Sequence, residues 1–105
     1  MKPNEKKAMK RRKKGTWTET RVEELLDLTP EDLVIVEFRA ALAVALQQAR
    51  KRKGLTQEAA AVRIGTSQAQ VSKMEAGQSS ITIDRLIKAL AALGVSRPTI
   101  LKALG

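Results

Sequence analysis

Apolar residues recur at spacings of three and four along most of the chain, the period of helices with one face turned to a core. Phe38, Leu42, Ala45, Leu46 and Ala49 form one such stripe, and the signals at its ends predict a long helix from Pro30 to about Lys53. Thr29 supplies a capping hydroxyl, Pro30 stands at the first helical position, and Glu31 and Asp32 lie on the positive helix end. "RKRK" and then Gly54 close it.

Thr56 caps a helix of about two turns in which Ala60, Ala61 and Ile64 face inward. Gly65 follows as the left-handed residue of a sharp reversal. Ser67 caps the next helix, Ser67–Ala76, whose inner face is Val71 and Met74 and whose outer face is Gln68, Ala69, Ser72 and Lys73. Gln70 either reaches back to complete a capping box on Ser67 or faces outward. Thr82 opens a helix carrying Ile83, Leu86, Ile87, Leu90 and Leu93 and closed by Gly94, and Ser96 and Pro98 open a last one with Ile100, Leu101 and Leu104. Upstream, Thr20 and Glu23 make a capping box before Val22, Leu25 and Leu26, which predicts a short helix. No strand pattern competes. The expected fold is all-α: a compact bundle of about five helices containing a helix-turn-helix.

Composition agrees with a helical bundle of one domain. Hydrophobic residues make up 43% of 105, yet Trp17 and Phe38 are the only aromatics, so the core is aliphatic. With neither Cys nor His, disulfides, thiolate chemistry and the commonest general base and metal ligand are excluded. The eleven carboxylates read as caps and solvated faces, so no enzyme, metal site or cofactor is expected.

Charge adds a partner. Residues 1–14 carry eight Lys or Arg against one Glu, 15–49 carry two against seven acids, and 50–105 carry ten against three, for a net +9. The basic blocks favour a polyanion, because neutralising phosphates releases counterions. The expected organisation is a disordered basic arm at 1–15, a short helical extension at 16–29 and a folded domain at 30–105. The longest apolar runs, "LVIV" and "AALAVAL", are too short for a membrane span, and a cytoplasmic protein is expected.

Two short helices crossing steeply over small residues, with a glycine in the turn, are the layout of a helix-turn-helix. The second helix then lies in the major groove of double-stranded DNA. Amides suit that place, since Gln pairs bidentately with adenine N6 and N7.

The run "ARKRKGLTQEAAAVRIGTSQAQVSKMEAGQSSITIDRLIKALAALGVS" resembles the phage repressor and Cro-like, or XRE, helix-turn-helix family, and the likeness extends from Leu42 to about Leu104. "GLTQ", the Gly65 turn, "SKMEAG" and "LIKALAALGVS" carry it. The resemblance implies that Gln57 contacts backbone phosphate and that Gln68, Ala69 and Lys73 read bases. Thr56, Ser67 and Ser72 join Gln57 as phosphate-facing positions, and Gln70 joins the base-facing set. It also implies an ion pair of Arg50 with Glu75 that fixes helix register and is worth little if it lies at the surface. Ala60 stands where the family usually has leucine, which leaves the local core either looser or filled by a neighbour. Ala69 offers a methyl, able to touch thymine but not to hydrogen-bond.

The expected function is a sequence-specific transcriptional regulator, a repressor that binds a two-part operator as a homodimer. "PTILKALG" and the acidic segment 16–37 are the two candidate dimer surfaces. The alternative is a HigA-like antitoxin that neutralises a small basic ribonuclease toxin and represses its own operon. Its support is the acidic block over 15–49.

Overall fold

Five helices follow one another in the computed structural model, which describes residues 28–105. They are α1 (Pro30–Arg52), α2 (Gln57–Ile64), α3 (Gln68–Glu75), α4 (Ile83–Ala92) and α5 (Arg97–Leu104). There is no strand among the described residues, and the architecture is all-α as expected. The basic arm and the short helix expected around Val22, Leu25 and Leu26 lie outside the described residues.

Each start is fixed by chemistry within three residues. Thr29 Oγ1 accepts from the Asp32 N–H at 3.1 Å while Asp32 Oδ2 accepts from the Thr29 N–H at 3.2 Å, a reciprocal capping box. Thr56, Ser67, Thr82 and Ser96 cap α2 to α5 in turn, each hydroxyl accepting from the backbone N–H three residues on.

Leu42, Leu46, Ala49, Ala60, Met74, Ile81, Leu86, Ala89, Leu90, Leu93 and Ile100 make the core. Two parts of the predicted stripes fall short of it. Ala45 packs against the core from the flank of the buried stripe and is half-buried, and so is Phe38, nearer the start of α1. The 8- to 10-residue helices around α1, about 12–15 Å long, cannot cover all of a 23-residue helix of about 35 Å. Leu101 is 64% exposed, since α5 turns Ile100 rather than its neighbour inward. Ile81, in the connection before α4, is a core residue that helical periodicity does not reveal.

Ala60 is fully enclosed as a member of the core cluster, so an alanine where the family usually has leucine leaves no opening to solvent. With Ala61 also buried, α2 and α3 pack closely, and theirs is the most extensive contact between any two helices. Arg39 Nε donates to the Ile81 carbonyl at 2.8 Å, tying α1 to the connection that follows α3.

Candidate nucleic-acid interface

Three residues, Gly65 to Ser67, separate α2 from α3. Gly65 is left-handed at φ 86°, and its N–H and that of Thr66 both bond the Ala61 carbonyl, which ends α2 in one residue. Ser67 then takes extended backbone and its Oγ accepts from the Gln70 N–H at 3.1 Å, starting α3. Val71 and Met74 face the core, so the remaining face of α3 is turned outward by the helical period. Ser67, Gln68, Ala69, Ser72 and Lys73 are all exposed. Thr56 is exposed and Gln57 half-buried at the start of α2.

Thr56 Oγ1 accepts from the Ala59 N–H at 3.0 Å. As a hydroxyl used this way keeps its own hydrogen, Thr56 and Ser67 cap their helices and still have a donor to offer an anion.

Of the two placements expected for Gln70, the reciprocal cap is not formed. Ser67 caps its N–H, but the return bond that would complete the box is not formed, and Gln70 Oε1 is buried without a hydrogen-bond partner. The residue as a whole is half-buried.

Arg50 and Glu75 form an ion pair joining α1 to the end of α3, and it does not lie at the surface. The two side chains are 12% and 3% exposed. Arg50 meets the carboxylate through two nitrogens, Nε to Oε2 and Nη2 to Oε1, the latter at 3.1 Å, and its Nη1 donates to the Leu55 carbonyl at 2.9 Å. The hydrogen bond to Glu75 raises the Arg50 pKa above its ordinary value, against an opposing effect of burial and with the charge of Glu75 assisting.

The pair continues outward. Gln57 Nε2 donates to Glu75 Oε1 at 3.1 Å, and Gln68 Nε2 donates to Gln57 Oε1 at 2.8 Å. Four side chains from α1, α2 and α3 thus form one chain of hydrogen bonds ending on the exposed face of α3. Sequence reasoning placed all four at the site but missed the two glutamine bonds; a glutamine opening each helix was the available signal.

No group of acidic residues able to hold a metal ion occurs among the described residues, and none of their helices is long and apolar enough to cross a membrane.

Residues 46–100, more than half of the chain, match a family model described as helix-turn-helix, and the chain belongs to the XRE/Cro-like helix-turn-helix family. It is a DNA-binding transcription regulator. Neither the curated proteins nor the solved structures gave a match to this chain.

Proposed function

We propose that the protein is a sequence-specific repressor that binds a two-part operator as a homodimer, with α3 in the major groove. The observation that carries the reading is the outward polar face of α3, with Gln68 at its entry and held by Gln57. An eight-residue helix is about 12 Å long, close to the width of the major groove and to the rise of three or four base pairs. So short a word is common in any genome, and a second copy on a half-site one helical turn away supplies the missing specificity.

In this reading Gln68, Ala69 and Lys73 face the base edges. Thr56, Gln57, Ser67 and Ser72 face phosphates. Gln70, whose amide oxygen is buried, supports the inner side of α3 instead. The protein works in the cytoplasm, without enzymatic activity or cofactor.

Selection of bound sequences from a random duplex pool tests the proposal. An inverted repeat is expected, with half-sites about 10 base pairs apart centre to centre. Gln68→Ala is expected to lose about 1–3 kcal/mol of discrimination at one base pair in each half-site. Equal weakening on cognate and random DNA contradicts the assigned role.

A second reading, the HigA-like antitoxin, draws on the acidic block over 15–49, with its seven acids. Co-purification with a small basic protein encoded beside it supports that reading; a genomic neighbourhood without such a protein removes it.

A further inference from the structure

We propose that the buried Arg50–Glu75 pair is a specificity device: acting through Gln57, it sets which way round the Gln68 carboxamide stands, and hence which base edge Gln68 accepts. The inference rests on the reading of Gln68 as a base contact.

A carboxamide has nearly the same shape either way round, but its two ends differ in kind, since the oxygen accepts and the NH₂ donates. On an open helix face it can take both orientations. Here every link is forced by the one before it. Arg50 only donates, and the Glu75 carboxylate only accepts. Arg50 occupies both Glu75 oxygens, and Oε1 also faces Gln57. Gln57 must therefore turn its NH₂ toward Glu75, which leaves its oxygen facing Gln68. Gln68 must answer with its own NH₂. The nitrogen end of Gln68 thus stands on the Gln57 side, with one N–H spent and one left, and the oxygen end stands away from it.

The order matters to a base. Adenine presents N7, an acceptor, beside the N6 donor, and it accepts an N–H and oxygen pair in one order only. Reversal sets oxygen against N7 and N–H against N–H, two repulsions in place of two hydrogen bonds. An ion pair that touches no DNA thereby fixes the polarity of the contact. Glu75 and Arg50 are positioning residues in this scheme.

Arg50→Met combined with Glu75→Leu removes the pair without orphaning a charge, so nothing holds Gln57 and Gln68 in one order. The test uses the full-length protein and a random duplex pool. The base pair read by Gln68 is the one whose preference collapses in Gln68→Ala. The folded double variant is expected to lose adenine preference at that pair by about 5-fold or more, with the other positions of the site unchanged. Added to Gln57→Ala, it is expected to change nothing further at that pair. Adenine preference kept by the folded double variant overturns the proposal, whereas no sequence selection by the wild type overturns the DNA-reading assignment beneath it.

Should the double variant not fold, NMR of the wild type decides. Scalar coupling across the hydrogen bonds is expected from Gln57 Nε2 to the Glu75 carboxylate carbon and from Gln68 Nε2 to the Gln57 carboxamide carbon. Coupling from Gln57 Nε2 to the Gln68 carboxamide carbon is the reversed order, and it overturns the proposal.

Discussion

Glu75→Ala is expected to destabilise the domain by about 3 kcal/mol, far more than a surface ion pair warrants. Glu75 is 3% exposed and accepts three hydrogen bonds, two from Arg50 and one from Gln57. Truncation leaves the Arg50 charge under the surface with two of its nitrogens unpaired. Removing one partner of a buried pair costs about 3–5 kcal/mol for that reason. The retained bond to the Leu55 carbonyl and the 12% exposure of Arg50, through which water can reach the guanidinium, place this case at the low end. Against a total of about 5–15 kcal/mol for a small domain, 3 kcal/mol lowers the folded-to-unfolded ratio by about a hundredfold.

Urea unfolding followed by far-ultraviolet circular dichroism measures the loss. The midpoint is expected to fall by about 1–3 M at unchanged slope, and to fall by a similar amount in high salt, because screening acts weakly on a buried pair. The double variant Arg50→Met, Glu75→Leu is expected to recover much of the loss, since it removes the orphaned charge along with its partner. A loss under about 1 kcal/mol for Glu75→Ala that vanishes in high salt refutes the burial argument.

Gly65→Ala is expected to cost about 1 kcal/mol net, the strain of a left-handed alanine less a smaller gain from a stiffer unfolded chain, because φ is 86° and nothing lies within 4 Å of the added Cβ. A stabilised variant in urea unfolding contradicts this. Gln70→Met removes a buried acceptor without a partner and is expected to leave stability unchanged or raise it by up to about 1 kcal/mol, with operator preference unaltered. A loss of about 1 kcal/mol instead indicates that Gln70 does cap. Asp84 has its pKa lowered from 3.8, first by the Thr82 hydroxyl and then by its own N–H, so its contribution is present above that pH and fades as pH falls through the lowered value. The melting-temperature difference between wild type and Asp84→Asn is therefore expected to shrink in acid; a difference constant with pH counts against the linkage.

What the sequence determined by itself is local. Capping residues act on the N–H three positions away, glycine acts through its own φ, and a helix shows its inner face by its own period. Thr56, Gly65, Ser67, Thr82 and Ser96 could accordingly be assigned before any packing was known, and the helix-turn-helix with them. Gln70 marks the limit even at short range, because two conformations met the same spacing and only the neighbouring helices choose between them.

The tertiary structure decided the rest. Arg50 meets Glu75 across 25 residues, Gln57 meets Glu75 across 18, Gln68 meets Gln57 across 11 and Arg39 meets Ile81 across 42. The two glutamine contacts depend on how closely α2 and α3 approach, which Ala60 and Ala61 permit but do not spell out as partners, and the two arginine contacts depend on where α1 lies against α3 and the connection that follows it. Burial is likewise a property of the assembled helices. It makes a pair that the sequence allowed to be a weak surface contact into an anchored one, and it joins that anchor to the glutamine on the outer face.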